Sequence, residues 1–177
     1  MIGSLAPTMA GLVEGRAVAI RHSMRLALER TNSRLPGFDH FPSRSGVVVR
    51  EAARELAGGR PLFLTLTHFH PEHGYGAQAF RDAATIIYNR EQHDEFLQKS
   101  RPYLDMFRGL GSEIAEQLEG VECVDPHVVY EGAANIDLGG KVVQLRTWGT
   151  AHSRGDQTVY LPDEHILFTN DPLLENS

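Results

Sequence analysis

Three histidines lie close together in the segment THFHPEHGYG, residues 67–76. Residues two apart in an extended chain point to the same side, so His68 and His70 can face one ion from the end of a strand. Pro71 then interrupts the strand and lets Glu72 and His73 turn back. This spacing predicts a compact metal site.

The donor types narrow the choice of metal. Neutral imidazoles and a carboxylate without a thiolate suit zinc, iron, manganese or cobalt, and zinc is the default by geometry and availability. A single histidine is more often a surface or hydrogen-bonded residue, whereas three at this spacing favour metal binding. The other histidines have no such companions and are predicted to be solvent-facing or supporting residues: His22, His40, His93, His127 and His165.

Two later positions can complete the site. His152 lies in the Gly- and Ser-containing segment GTAHSRGDQTVYLP, residues 149–162, between two predicted strands. Asp171 follows the apolar run HILFTN, again at the tip of a strand. An aspartate at such a place is by itself more often a turn or cap residue, so Asp171 gains weight only from the rest of the pattern.

Composition limits the class of protein. The chain has 177 residues, 41% of them hydrophobic and 23% charged, which predicts one soluble globular domain. A net charge of -6 without a basic block argues against nucleic acid or an anionic membrane as partner. Its one cysteine cannot form an internal disulfide. We see no secretory signal and no apolar run that would span a membrane, and we expect a cytoplasmic protein.

Periodicity predicts the elements of the first third of the chain. Residues 17–30 place Ile20, Met24 and Leu28 at helical spacing, and a loop rich in turn residues follows. The run GVVV at residues 46–49 predicts the start of a strand, which passes directly into a short helix that ends at Gly58 and Gly59.

The rest of the chain alternates strands and helices before it becomes rich in strands. PLFLTLT, residues 61–67, predicts a buried strand; GAQAFRDA predicts a short helix and ATIIYN another strand. Residues 90–118 are helical by spacing, with a break near Gly109 and Gly111. Beyond Glu122 we predict an antiparallel meander with a hairpin turn at residues 162–164. Four residues of the helical stretch are predicted to be buried: Phe96, Tyr103, Met106 and Phe107.

The order of these motifs is similar to that of the metallo-β-lactamase fold superfamily. H-x-H-x-E-H comes first, then Gly-Thr-x-His with Gly-Asp shortly after it, then an apolar strand that ends in aspartate, from about Pro61 to Asp171. The resemblance implies an α+β fold, a four-layer αββα sandwich with the metal site at one edge. It also implies hydrolysis of an ester, amide, thioester or phosphate ester in a small-molecule substrate.

Carried over by position, the resemblance assigns roles to individual residues. His68, His70 and His152 would hold one metal, Glu72 and His73 would face a second, and Asp171 would bridge both. The metals would lower the pKa of a shared water so that hydroxide attacks the scissile centre, with Glu72 and Asp171 as catalytic carboxylates. Asp156 matches an aspartate of structural role.

The chain departs from the family pattern in several places. Glu72 stands where the family has aspartate, and Asn170 where it has glycine. Six residues follow Asp171, whereas the family pattern continues there and adds another histidine. The run GVVV passes into a helix where the pattern has a second strand, so a strand pair is expected to have lost a member.

These departures predict an incomplete domain. We expect a helix and an irregular arm in residues 1–45 and a partial metallo-β-lactamase-like domain, incomplete at the C-terminus, in residues 46–177. A homodimer would cover the truncated edge. Three functions stay open: a metal-dependent hydrolase, a non-catalytic metal-binding domain, and an iron-dependent oxidoreductase of the same fold. The sequence does not define the substrate.

Overall fold

The computed structural model describes residues 10–13, 16–21, 42–151 and 153–169, with side chains from residue 46 onward apart from those of Pro71 and Glu72. Within these ranges the helices are α1 (Pro42–Ala57), α2 (Pro71–Gly74), α3 (Arg90–Arg108) and α4 (Ser112–Gln117), with a 3-10 helix at Tyr75–Phe80. The strands are β1 (Ala10–Val13), β2 (Arg16–Arg21), β3 (Phe63–Leu66), β4 (Thr85–Asn89), β5 (Val128–Tyr130), β6 (Ala133–Asp137), β7 (Val142–Thr147), β8 (Gln157–Leu161) and β9 (Ile166–Phe168).

The described strands form two sheets. The first has the order β1-β2-β3-β4-β5 and is parallel except for its β1-β2 pair. The second is an antiparallel meander with the order β6-β7-β8-β9. Parallel neighbours need long crossovers, and here helices supply them on one face of the first sheet.

Strand β3 shows why both faces of the first sheet are buried. Its side chains alternate, so Leu64 and Leu66 pack beneath the helices while Phe63 packs against the second sheet. One core lies between helices and sheet, and the other lies between the two sheets. The described residues therefore form helix, sheet and sheet layers of an α+β sandwich, so the predicted α+β class is confirmed.

The prediction of a helix over residues 17–30 is wrong for its first part. Residues 17–21 belong to β2, which pairs in parallel with β3 in the register Ile20 to Thr65. Pairing with a buried strand outweighs the helical spacing of these residues. The sequence of one segment does not show which strand it will pair with. Residues 22–30 lie outside the described ranges. Because β1 and β2 form an antiparallel pair, the predicted loss of one member of a strand pair is also wrong.

The prediction of a strand at residues 46–49 is wrong as well, because these residues lie in α1. Val49, Ala53 and Ala57 form a buried stripe at helical spacing, and their packing outweighs the strand preference of the valine run. Gly46 allows close contact, since a Cβ there would lie 2.6 Å from the carbonyl oxygen of Gly76. This helix runs through the domain boundary that was predicted between residues 45 and 46. The division of the chain into an amino-terminal arm and a partial domain stays a prediction.

Later elements follow the sequence with two corrections. Strands β3 and β4, the short helix that follows the histidines, the helices on both sides of Gly109 and the β8-β9 hairpin are confirmed. However, β5 pairs in parallel with β4 and does not join the meander. Phe96 is buried as predicted, whereas Met106 is 51% exposed, so its predicted burial is wrong.

Candidate metal centre

The histidine segment begins directly after β3, at the carboxyl end of a strand in the parallel part of the sheet. Pro71 opens α2, where proline fits because the first N–H of a helix has no partner within it. The backbone N–H groups of His73 and Gly74 both donate to the carbonyl of His70, at 3.0 and 2.8 Å. The chain thus turns sharply after His70.

This turn brings three imidazoles together. The ring centroid of His68 lies 4.7 Å from that of His70 and 4.3 Å from that of His73. His68 is fully buried, His73 is 2% exposed and His70 is half-buried. The hydroxyl of Thr67 lies 3.3 Å from Nδ1 of His68. The clustering of these three histidines is therefore as the sequence predicted.

Phe69 anchors the same segment in the core. Its ring is 1% exposed and meets the ring of Phe96 on α3 edge to face, with centroids 5.4 Å apart. A Cβ on Gly74 would lie 3.0 Å from the Phe69 ring, so only glycine lets the turn close over this side chain without displacement. Phe69, which lies between His68 and His70, therefore fixes the histidine segment to the hydrophobic core.

The other predicted ligands cannot be located in the same way. His152 and Asp171 lie outside the described residues, as do Asn170 and the side chain of Glu72. Among the residues that the structure describes, no group of three or more His, Cys, Asp or Glu has the arrangement of an ion site. Three closely packed imidazoles are nonetheless the nitrogen donors that zinc takes in proteins. The donor chemistry fits the metal, and the ligand set stays a prediction.

Asp156 organises the loop in which His152 stands in the sequence. Its carboxylate is buried and accepts hydrogen bonds from the backbone N–H of Ala151 at 3.0 Å and of Ser153 at 3.1 Å. It also accepts one from the Ser153 hydroxyl at 2.8 Å. The predicted structural role of Asp156 is confirmed, because its carboxylate binds the backbone on both sides of position 152.

Gln157 connects this loop to the histidine segment, a role that the sequence analysis missed. Its backbone N–H donates to the carbonyl of Thr67 at 2.8 Å. Its side-chain amide donates to Thr65 Oγ1 at 2.6 Å and to the Leu66 carbonyl at 2.5 Å. The one signal in the sequence was an amide at the start of an otherwise buried strand, directly after the Gly-Asp pair.

Two tyrosines, the buried Tyr75 and the partly buried Tyr130, make hydrogen bonds near the ligand segments. The phenol of Tyr130 donates to Oε1 of Gln157, and the phenol of Tyr75 donates to the Ser100 carbonyl at 2.8 Å. Burial raises the pKa of Tyr130 and that of Tyr75 above their ordinary range. Both phenols therefore keep their protons at neutral pH and act as donors.

The described histidines outside the cluster have other roles. Nδ1 of His127 accepts from the backbone N–H of Ile86 at 3.0 Å, and Nε2 of His93 lies 3.4 Å from Oδ1 of Asp125. His165 is exposed in the β8-β9 turn. These placements agree with the supporting and surface roles predicted for them, while His22 and His40 lie outside the described ranges.

A cavity of about 410 Å³ lies away from the histidine cluster. It is lined by Arg101, Leu104, Asp105, Arg108, Val121, Glu122 and Cys123, none of which is a predicted ligand.

Trp148 is 75% exposed beside the loop of residues 149–156, and its indole N–H donates to the Thr158 hydroxyl at 3.0 Å. In the described part of the chain, no helix has the length and apolar character needed to cross a membrane.

Comparison with known structures supports the fold. A metallo-beta-lactamase from Pontibacter korlensis superposes with a TM-score of 0.57 at 15% identity, covering 90% of this chain and 57% of that one. The native FEZ-1 metallo-beta-lactamase from Legionella gormanii gives 0.52 at 13% identity, covering 86% and 50%. A double mutant of the sec-alkyl sulfatase PisA1 gives 0.53 at 15% identity, covering 92% and 27%.

The chain thus spans about half the length of the lactamases that it matches. No curated protein matches the sequence significantly. The sequence model of the Metallo-beta-lactamase superfamily matches residues 31–177, which is most of the chain. Because this match and the two-sheet fold agree, the chain belongs to the metallo-β-lactamase superfamily.

Proposed function

We propose that this chain is a metal-dependent hydrolase, or the metal-binding body of one, that acts on an ester, amide, thioester or phosphoester bond of a small molecule. The observation that carries the proposal is the packing of His68, His70 and His73 at the end of β3, with ring centroids 4.3 and 4.7 Å apart. Imidazole nitrogens are the donors that zinc takes in proteins, and three such rings packed together in a largely buried position can supply several of its ligands from one short segment.

The proposed ligand set follows the family pattern. His68, His70 and His152 would hold one ion, Glu72 and His73 would contribute to a second, and Asp171 would be shared between them. A bound zinc ion would supply a Lewis acid that polarises the substrate oxygen and lowers the pKa of water. Glu72 is the carboxylate positioned by sequence to accept a proton, and iron or manganese would suit the same donors.

The described residues contribute rigidity and exclusion of water. The burial of His68 and His73 limits solvent access on the protein side of the cluster, which strengthens electrostatic interactions there. Asp156 binds the backbone within the loop of residues 151–157, and Gln157 connects that loop to the histidine segment. A site whose ligand segments are fixed before the metal arrives loses less entropy on binding it.

The structural neighbours give the proposal its reaction class. Two are named as lactamases and one as an alkyl sulfatase, which are names of hydrolases that act on different bonds. A shared fold does not determine the substrate, so the bond that this chain cleaves is open among these classes. We also propose a cytoplasmic location, because we see neither a secretory signal nor an apolar run that would span a membrane in the sequence.

We also propose that the protein forms a homodimer across the outer face of the second sheet. Leu167 is 54% exposed, and it alternates with Phe168, which packs into the core between the sheets. Leu167 therefore faces outward beside its register partner Tyr160. Sedimentation equilibrium of the parent and of Leu167→Glu tests this: a dimer that dissociates in the variant is expected, and a monomeric parent would contradict it.

Metal content and activity test the proposed function. We expect one or two zinc ions per chain in protein purified without chelator, and hydrolysis of at least one member of a chromogenic panel of lactam, thioester, lactone and phosphodiester substrates. His70→Ala should lose at least one ion and reduce kcat/KM by about 100-fold or more, because a missing ligand removes the activation of water.

His165→Asn is the matched control, because His165 is exposed and asparagine tolerates its positive φ of 54°. It should keep metal and activity. One zinc without hydrolysis would favour the non-catalytic domain, iron with a visible chromophore would favour the oxidoreductase, and a chain without any metal would refute the metal site itself.

A further inference from the structure

The loop of residues 151–157 lies against the amino-terminal end of α3. Asn89 caps this helix, since its Oδ1 accepts from the backbone N–H of Gln92 at 2.8 Å, and its Nδ2 donates to the Gly155 carbonyl at 2.6 Å. Gly155 has a φ of +74°, and a Cβ there would lie 2.3 Å from both Asn89 Oδ1 and the Gln92 nitrogen. The loop backbone therefore contacts the helix end without room for a side chain.

Glu95, one turn further along α3, reaches the same loop. Its Oε2 accepts from the backbone N–H of Arg154 at 2.8 Å, across 59 residues of sequence. Its Oε1 pairs with Lys99, and this hydrogen bond raises the pKa of Lys99. Glu95 is only 3% exposed, and a carboxylate this deeply buried is costly unless both oxygens are bound.

These contacts hold the loop on both sides of position 152. Asp156 binds the backbone N–H groups of Ala151 and Ser153, while Glu95 binds that of Arg154. We propose that Glu95 is a positioning residue for the metal centre, which acts through the backbone of Arg154 to fix the loop that carries His152. This inference rests on the proposed function, because it assumes that His152 binds the metal.

The physical reason is preorganisation. A ligand on a loop that must be ordered during binding gives a weaker site than one already in place, and loss of supporting hydrogen bonds around metal ligands typically costs 10- to 100-fold in affinity. Besides Gln157, which joins the loop to the histidine segment, the loop is held by Asn89 and Glu95 on the helix side and by Asp156 within the loop. Glu95 is the anchor that lies furthest along the helix, and no motif of the sequence identifies it.

Zinc affinity, measured by competition with a chromogenic chelator, tests the proposal in the full chain. Glu95→Leu, which fills the space without an acceptor, should weaken zinc binding by about 10- to 100-fold. Glu95→Gln keeps an oxygen acceptor for the Arg154 N–H and should restore most of the affinity. Glu91→Ala, an exposed acidic residue of the same helix, is the matched control and should bind zinc like the parent.

A second readout separates positioning from general stability. The rise in Tm that zinc produces should shrink in Glu95→Leu and stay unchanged in Glu91→Ala, with Tm in chelator reporting the fold alone. Should Glu95→Leu not fold, Glu95→Ala repeats the comparison. Parent-like affinity in the Leu or Ala variant, or an equal loss in Glu95→Gln, would overturn the inference and leave the proposed function intact. A parent that binds no zinc would refute both.

Discussion

The two segments that carry the predicted ligands are held in different ways. The segment of residues 67–74 is fixed by apolar packing, because the Phe69 ring is buried against Phe96 and lies beneath Gly74. The loop of residues 151–157 is fixed by hydrogen bonds: the carboxylates of Glu95 and Asp156 accept from its backbone, while the amides of Asn89 and Gln157 donate. Residues 67–74 are thus part of the hydrophobic core, whereas residues 151–157 are joined to the rest of the protein by polar contacts.

This difference separates stability from site geometry. Apolar burial contributes to the free energy of unfolding of the whole domain, since it scales with the area removed from water. Hydrogen bonds to a loop contribute less to that energy but fix where the loop lies. Changes in the first segment should therefore lower stability most, whereas changes in the second should lower metal affinity more than stability.

Removal of the apolar anchor should have the largest effect on stability. We expect Phe69→Ala to lower the free energy of unfolding by about 3–5 kcal/mol, because a buried aromatic ring is lost and the cavity relaxes only in part. Urea unfolding of the metal-free protein measures this. Leu97→Ala on α3, where the leucine is 61% exposed, should cost less than about 0.5 kcal/mol. A similar loss in the two variants would show that Phe69 is not an anchor.

Removal of the acceptor in the loop should have an intermediate effect on stability and a larger one on the metal. Asp156→Ala leaves the N–H groups of Ala151 and Ser153 without their acceptor, which we expect to cost about 2–3 kcal/mol in the metal-free protein. Zinc affinity should fall by about 100-fold, since the loop around position 152 is released.

Asp156→Asn sharpens the test, because its amide oxygen can still accept one of these hydrogen bonds. Its losses of stability and of zinc affinity should lie between those of the parent and of Asp156→Ala. If Asp156→Ala bound zinc as tightly as the parent, the loop would not depend on this carboxylate, and the contrast between the two segments would fail.

The sequence predicted what depends on neighbouring residues. The histidine cluster could be found because its spacing, and the turn that Pro71 starts, lie within a few residues. Helix α3 and its end near Gly109 were also predicted from local pattern. The sequence did not predict that β2 pairs with β3 or that β5 pairs with β4, because a strand segment carries little information about which strand it will join.

The supporting residues were missed for a related physical reason. The amide of Gln157 donates to Thr65 across 92 residues, and Glu95 accepts from Arg154 across 59. In the sequence, Gln157 and Glu95 are ordinary polar residues of a strand and a helix. Only the fold shows that their side chains point inward, where an unbound amide or carboxylate would be costly.

The smallest effects should come from the buried Tyr75 and the partly buried Tyr130, one near each segment. At pH 7, Tyr75→Phe and Tyr130→Phe should each lower the free energy of unfolding by about 1 kcal/mol, since each loses one hydrogen bond. Only Tyr130→Phe should also weaken zinc binding, because the Tyr130 phenol holds Gln157 and Gln157 joins the loop to the histidine segment. Equal zinc affinities in the two variants would contradict the polar attachment of the loop.

The same variants have a pH dependence of defined sign. Burial raises the pKa of both phenols in the folded protein, so the folded state holds these protons more tightly than the unfolded state does. The resulting stability is complete below the ordinary tyrosine pKa near 10 and is lost as the pH rises above it, because the unfolded chain deprotonates first. Urea unfolding between about pH 8 and pH 11 should therefore show a shallower alkaline decline in each Phe variant than in the parent. A decline as steep as that of the parent would mean that the phenol replaced does not contribute to it.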